Sequence, residues 1–348
     1  LARPGGGAGD YTIAGLKRPD PPKDERHMQT DIPGHGQDVA VLIPCFNEAL
    51  AIARVIRDFR TALPHARIHV FDNASTDRTV EIAREAGAIV RTVGLRGKGN
   101  VVRRMFADVD ADIYVLVDGD ATYDASSAPV MIERLLNEGA DMVVGARKDD
   151  NLTGAYRNGH RLGNRMLTGC VSMIFGGTFT DMLSGYRVFT RRYVKSFPAL
   201  SAGFETETEL TVHALELRMP WSEVDTPYST RPEGSESKLS TYKDGLRILR
   251  MILRLFVAER PLHFFGLVGA LSLIIGIAIA VPLLTTYLAT HEVPRLPTAL
   301  LSTGLALVAV ISLVCGLIMD AVTRGRREMK RLFYLSIPGP TKPDDIRP

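Results

Sequence analysis

Asp118 and Asp120 stand one residue apart at the end of an apolar run, "VLVDGDATYD" (115–124), with Asp124 close behind. Carboxylates that near each other repel unless a cation joins them, so the pair calls for a positive partner. Hard oxygen donors suit Mg2+ or Mn2+, which keeps several waters and takes further ligands from substrate phosphates. No Cys or His lies in the run, which argues against zinc. Gly119 between them lets the backbone approach a ligand closely. The competing reading is a capped strand end, and it weighs more for Asp124, placed to start the next helix, than for the pair.

Three other polar clusters follow apolar runs: "PCFNE" (44–48), "DNASTD" (72–77) and "GLRGKG" (94–99). Asp72 is placed to accept a hydrogen bond from a nucleobase or ribose, or simply to end a strand. Asn47 is placed to cap one helix, and Ser75 or Thr76 the next. "GLRGKG" has neither the spacing of a P-loop nor that of a dinucleotide fingerprint, so it supports neither an ATPase nor a dehydrogenase.

The elements that must position these clusters are strands and helices in alternation. "DVAVLIP" (38–44) is a continuous apolar run, and Ile52, Val55, Ile56, Phe59 and Leu63 then recur at helical spacing. The pattern repeats with "RIHVFD", "AIVRTV" and "DIYVLVD", each followed by an amphipathic stretch, before "DMVVGA". Doubly apolar strands alternating with amphipathic helices predict an α/β domain with a mostly parallel sheet covered on both faces. Ligands of such sheets bind beyond the carboxyl ends of the strands, where all four clusters fall. Farther along, Arg157, Arg161 and Arg165 recur every four residues and share one helix face, which reads equally as a solvated basic surface.

No Asp, Glu, Lys or Arg occurs from 261 to 291 or from 296 to 319, and both stretches exceed the roughly 20 residues that cross a bilayer as a helix. Their Gly, Ala and Ser residues allow close helix approach. Lys243, Arg247, Arg250, Arg254 and Arg260 precede this hairpin, and Arg324, Arg326, Arg327, Lys330 and Arg331 follow it. The positive-inside rule places both flanks, the large N-terminal domain and both termini on the cytoplasmic side of the inner (cytoplasmic) membrane. Leu246, Leu249, Ile252, Leu253 and Phe256 give the segment before the hairpin an apolar side, as in a helix lying on the membrane surface. Cys45, Cys170 and Cys315 form no disulfide or zinc spacing. No apolar signal region appears before residue 38, and the Gly, Pro and charge of 1–37 predict disorder. The expected organisation is thus a disordered segment 1–37, a catalytic domain 38–239, an amphipathic helix 240–260, a membrane hairpin 261–320 and a basic tail 321–348. Since the sheet lies upstream of 261, a domain lacking 261–335 is expected to fold alone.

"VLIPCFNE", "DNASTD", "GKG" and "DGD", in that order and spacing, resemble the family 2 glycosyltransferases of the GT-A fold. "DMLSGYR", "RPEGSESKL" and the two terminal membrane helices are similar to the group that glycosylates polyisoprenyl phosphates. The resemblance covers about 38–335. It implies a nucleoside pocket lined by Pro44, Phe46, Glu48 and Asp72 with Lys98 near it, and a metal on Asp118 and Asp120 that holds the donor diphosphate. Arg231 and Lys238 would cover the donor phosphates. Asp181 matches the family's proposed base, or it orients Arg187 or the acceptor. Three positions depart from the pattern: Phe46 stands where many members have Tyr, Asn73 where many have a second Asp, and Thr122 where a Gln can complete the metal shell.

A phosphate acceptor needs its own cationic cradle. Arg161 and Arg165 are candidates, together with Arg147 after the fifth strand, which also ranks among the donor-binding residues, because guanidinium forks match phosphate oxygens. The expected reaction is an inverting, metal-dependent transfer of one sugar from a nucleotide-sugar, UDP-hexose before GDP-mannose, to a polyprenyl phosphate at the cytoplasmic membrane face. The expected partners are that donor, that lipid and the bilayer, without nucleic acid; a homo-oligomer is left open. A processive polysaccharide synthase is the alternative within the superfamily, and a non-catalytic membrane adaptor the alternative outside it. The lone Trp221 lies outside any Q-x-x-R-W motif, and two spans make no channel, which disfavours the first. An adaptor has no use for two adjacent carboxylates, which disfavours the second.

Overall fold

The computed structural model describes residues 36–148, 168, 169, 171–173, 176, 179–203, 205–230, 241–293 and 295–340. Nearly all of the segment expected to be disordered, and Arg157, Arg161, Arg165, Arg231 and Lys238, lie outside the described residues.

A seven-stranded sheet with order β3-β2-β1-β4-β6-β5-β7 forms the centre. Its first four strands are β1 (Val39–Cys45), β2 (Arg67–Asp72), β3 (Ile89–Thr92) and β4 (Ile113–Leu116), all mutually parallel. β5 (Met142–Lys148) and β7 (Trp221–Pro227) pair in parallel, and β6 (Arg187–Thr190) runs antiparallel between β4 and β5.

β1 shows why the first run is apolar throughout. Side chains alternate across a strand, so Ala40 and Leu42 enter one core while Val41 and Ile43 enter the other. On the second face lies α1 (Ile52–Ala62), whose Ile52, Val55, Ile56 and Phe59 are buried. Burying side chains of that size contributes roughly 1.5–3 kcal/mol each, so a charge at Ile56 would break the packing of α1. α2 (Thr79–Glu85) and α4 (Ser127–Glu138) join α1, whereas α3 (Lys98–Asp108), α5 (Arg191–Ser196) and α6 (Thr206–Leu217) contribute to the first core. The expected alternation is observed, with one difference: β3 is an edge strand, and Ile89, Arg91 and Thr92 are exposed rather than doubly buried.

After α7 (Thr241–Glu259) come two long helices, α8 (Pro261–Thr290) and α9 (Leu296–Leu335). Both are long and apolar enough to cross a membrane, and little of either is buried within the protein. Leu267, Leu271, Ile274, Leu300, Leu307 and Val310 are among the exposed apolar residues, so these are membrane helices and not core helices. They pack through small residues: the Ser302 hydroxyl donates to the Gly276 carbonyl at 3.0 Å, and Gly269 lies against the backbone of Ala309. α9 does not stop where charge begins at Asp320. It continues to Leu335 and docks on the α/β domain. Lys330 pairs with Glu216 at 2.7 Å and the Tyr334 hydroxyl donates to Asp141 at 2.6 Å, while Arg326 pairs with Glu259 at the end of α7 at 2.8 Å.

Candidate functional site

Because β1 to β4 are parallel, their four terminal loops gather at one sheet edge. Neither expected cap forms. Ala51 and Arg78 hold the N-cap positions of α1 and α2, without side-chain caps. Instead Asn47, in a left-handed conformation, ties two loops together: its N–H donates to Ser75 Oγ at 2.8 Å and its Oδ1 accepts from the Thr76 N–H at 2.8 Å. The Glu48 N–H donates to Thr79 Oγ1, and the buried Asp72 carboxylate accepts from the Ser75 N–H at 3.1 Å. Asn73 donates to the carbonyls of Val93 and Leu95 and accepts from the Gly97 N–H at 2.7 Å. An aspartate could not donate those bonds, which gives the amide at this position a physical reason. The Arg96 guanidinium sits 4.8 Å from the centre of the Phe46 ring. Pro44, Phe46, Glu48 and Asp72 thus lie at or just after the ends of β1 and β2, which these bonds tie together.

The glycines of "GLRGKG" serve packing. Gly97 has φ +121°, and a Cβ on Gly99 would lie 2.3 Å from the Ser201 carbonyl oxygen, so the first turn of α3 presses onto the segment before α6. That contact carries Lys98 between two carboxylates, 2.5 Å from Asp118 and 2.6 Å from Glu207. Burial alone would lower the Lys98 ammonium, but the charges of Asp118 and Glu207 outweigh it and hold it above the ordinary lysine range. The positive partner of Asp118 in this structure is therefore Lys98. A Cβ on Gly185 would stand 2.4 Å from Asp118 Oδ2, so the glycine of "SGYR" makes room for that carboxylate.

Asp120 is buried, and its Oδ1 accepts from both the hydroxyl and the N–H of Thr122, at 2.6 and 3.2 Å. Thr122 orients Asp120, where a longer amide would reach an ion. Asp124 accepts from the N–H of Ser126 at 3.2 Å at the start of α4, the structural one of the two roles open to it.

Asp181 holds Arg147 by two bonds, at 2.6 and 2.8 Å, and the same guanidinium lies 5.5 Å from the centre of the Tyr228 ring. Asp181 is expected to orient Arg187 or the acceptor; the residue it holds is Arg147. Arg187 is wholly buried and donates to the carbonyls of Ser184, Met182 and Glu207 and to Thr211 Oγ1, riveting β6 to α6. A carboxylate committed to both branches of a guanidinium is suited to positioning it. Tyr123, whose hydroxyl accepts from the Gly185 N–H at 2.9 Å, is pushed far up by burial and stays protonated.

The edge therefore carries a pair of acidic side chains with a lysine on one of them, and an arginine fixed by an aspartate and a tyrosine. Hard carboxylate oxygens fit a divalent ion, but Gly119 between them serves packing and not the expected close approach of a ligand, since a Cβ there would lie 2.6 Å from the buried Cys45 Sγ. Among the described residues no group of three His, Cys, Asp or Glu side chains converges as a metal site, so the rest of a coordination shell would come from phosphate and water. Glu207 and Tyr228 escaped the sequence reading, since their partners lie far away in the chain. The usable signal was the pattern of Glu and Thr in "FETETELTVHALEL", charges without an apolar face to explain the helix.

A family model described as glycosyl transferase family 2 matches residues 40–196. The chain is similar to the glycosyltransferase AglJ of Haloferax volcanii, with 36% identity over 302 residues, 85% of this chain and 98% of that protein. It is 29% identical to the dolichyl-phosphate hexose transferase of the same organism, over 64% of this chain and 96% of the relative. Among solved structures, glucosyl-3-phosphoglycerate synthase from Mycobacterium tuberculosis in complex with Mn2+, uridine diphosphate and glucosyl-3-phosphoglycerate superposes with a TM-score of 0.51 at 22% identity. That match covers 65% of this chain and 79% of the other. The likeness at that identity is one of fold, and the fold is GT-A.

Proposed function

The chain belongs to glycosyltransferase family 2, and on that premise we propose that it transfers a single hexose from a nucleotide-sugar to a polyprenyl phosphate at the membrane surface, with inversion. The observation that carries the reading is α9. At one end it is a membrane helix, and at the other it is bonded to Asp141 and Glu216 of the catalytic domain. An enzyme with a soluble acceptor needs no such strut, whereas one that works on a lipid phosphate must hold its sheet edge at a fixed height above the bilayer. The name of the dolichyl-phosphate hexose transferase supports a lipid acceptor, and the uridine diphosphate and Mn2+ of the structural neighbour support UDP-hexose ahead of GDP-mannose. The basic flanks support the cytoplasmic face.

Asp118 and Asp120 would hold Mg2+ or Mn2+ against the donor diphosphate, and the ion would neutralise the charge that grows on the departing nucleotide. An acceptor phosphate oxygen forms the new bond to the anomeric carbon as that carbon's bond to the diphosphate breaks, and the bonding electron pair leaves with the nucleoside diphosphate. A phosphate monoester has a second pKa of about 6, so at neutral pH it is already a competent nucleophile. Asp181 then acts through Arg147, keeping the guanidinium aimed at phosphate oxygens, and removes no proton. Pro44, Phe46, Glu48 and Asp72 enclose the nucleoside. Arg231 and Lys238 on the donor side, and Arg161 and Arg165 on the acceptor side, are proposed from the sequence alone.

The test is to incubate the full chain in nanodiscs with undecaprenyl phosphate and a panel of UDP- and GDP-sugars, then weigh the lipid product. One hexose on the lipid, lost in EDTA and lost in Asp120→Ala, is expected. No glycosylated lipid with any donor, or full transfer by Asp120→Ala in EDTA, would overturn the reading.

A further inference from the structure

Lys98 sits where a cation should not. It is the first residue of α3, and the aligned peptide dipoles make a helix N-terminus positive. It is also about nine-tenths buried, and a buried ammonium keeps its charge only in contact with anions. Asp118 and Glu207 supply that contact. The two carboxylates are not equivalent. The Asp118 side chain is 29% exposed, whereas Glu207 is 7% exposed and lies in the first turn of α6, where the dipole favours it. Lys98 thus bridges one anion that faces the site and one that belongs to the frame.

Resting on the reading of Asp118 and Asp120 as metal ligands, we propose that Lys98 is a built-in counter-cation: it occupies Asp118 until the divalent ion binds, then cedes that carboxylate and stays on Glu207. Formal charge supports the exchange. Asp118 and Glu207 carry two negative charges against the one positive charge of Lys98, so the trio still attracts a cation, while the two carboxylates with no cation between them would repel each other. A lysine suits the role because its charge is a point at the end of a flexible stem; an arginine fork would not swing. Glu207 makes the exchange feasible, since the ammonium leaves Asp118 without becoming a lone buried charge. Gly97 and Gly99, which let α3 touch the Ser201–Ala202 backbone, are the parts that set this distance.

An ion pair that is only structural makes a different forecast: loss of Lys98 would lower thermal stability and leave ion affinity alone. The discriminating experiment is an electron paramagnetic resonance titration of Mn2+ on the full chain in nanodiscs, without nucleotide, for wild type, Lys98→Met, Glu207→Gln and Asp120→Asn. Lys98→Met should bind Mn2+ on the order of tenfold more tightly, because a competing charge is gone, and Mn2+ should raise its melting temperature more than it raises that of wild type. Glu207→Gln should shift the affinity the opposite way, since Lys98 then has only Asp118 to hold. Unchanged or weaker binding in Lys98→Met, or shifts of the same sign in both variants, would overturn the proposal. If Lys98→Met does not fold, Glu207→Gln decides alone: unchanged or tighter binding sinks the idea. Asp120→Asn separates the two levels. If it binds Mn2+ as wild type does, the metal assignment falls and this inference with it; if it loses Mn2+ while the Lys98 and Glu207 variants fail to diverge, only the counter-cation falls.

Discussion

Tyr334→Phe should loosen the tie between the membrane helix and the catalytic domain without unfolding either. Asp141 is fully buried just before β5, and its carboxylate accepts from Thr190 Oγ1 at 2.7 Å, from Arg192 at 2.5 and 3.0 Å, and from the Tyr334 hydroxyl at 2.6 Å. Burial and the neighbouring Asp141 charge push the Tyr334 hydroxyl well above its usual range, so it is a donor at any working pH. The substitution removes one hydrogen bond to an ionised acceptor and keeps the ring under the Arg192 guanidinium, 4.9 Å away. Hydrogen bonds to charged groups contribute about 1.5–3 kcal/mol, and the partly exposed position of Tyr334 puts this one near 1.5 kcal/mol. That is about a tenfold change in the local opening equilibrium. Hydrogen exchange of the full chain in nanodiscs reads it directly: amides of 326–335 should exchange about tenfold faster while β1 and β4 keep their protection. The lipid Michaelis constant should rise, with nucleotide-sugar binding unmoved. Unchanged exchange at 326–335, or faster exchange throughout the sheet, would refute the reasoning, the first by showing that the bond contributes nothing and the second by showing that the strut is not local.

Gly185→Ala should place a Cβ against Asp118 Oδ2; displacement of a reacting group by an ångström costs roughly 100-fold in turnover, and Mn2+ titration should show weakened binding in a chain whose circular dichroism is unchanged. For Asp181→Asn, turnover should fall while the acidic limb of the pH profile stays near pH 6, because that limb belongs to the acceptor phosphate; loss of the limb would restore Asp181 as a base. His69 is 4% exposed, neither ring nitrogen has a hydrogen-bond partner among the described residues, and burial, then the charges of Arg67 and Arg91, bring it down to about 4. Its folded value lies below the unfolded 6.5, so the unfolded chain takes up the proton first and stability falls as pH drops from 6.5 toward about 4. Melting curves of His69→Leu across that window should be flatter than those of wild type, and parallel curves would show that His69 is not the group responsible.

Much of this molecule is legible along the chain because its parallel strands are buried on both faces. β1, β2 and β4 announce themselves as apolar runs, and once they are parallel their loops must meet, so "PCFNE", "DNASTD" and "DGD" converge without further information. What stays hidden depends on partners far apart in sequence. "RVFT" of β6 is four residues long and opens on an arginine, so it reads as a strand only once β4 and β5 leave a gap between them, and "WSEVDTP" of β7 interleaves polar residues and is a strand only through its pairing with β5 at the sheet's edge. Asn47 and Ser75 carry the local chemistry of caps, but each satisfies the other's loop, a choice that only tertiary contact can make. Glu209 in α6 looks like a solvated charge and instead accepts from the N–H groups of Leu200 and Ser201 at 2.7 and 2.8 Å.

The same limit governs the join between anchor and catalyst. Composition changes at Asp320, which invites a boundary there, but hydrogen-bonded helix and buried partners run on to Leu335. Glu216 and Glu259 lie close enough that burial and then the Glu259 charge raise Glu216 above the usual carboxylate range, and the cations offsetting this pair, Arg326, Arg327 and Lys330, all come from α9. Excising 261–335 would leave two adjacent carboxylates without those cations and uncover the apolar surface beneath Tyr334. The sheet and its four motifs would survive in sequence, but the domain expected to fold alone would lose an integral wall. A cut that leaves the catalytic domain intact must therefore spare 321–335, the part of the membrane helix that belongs to the enzyme.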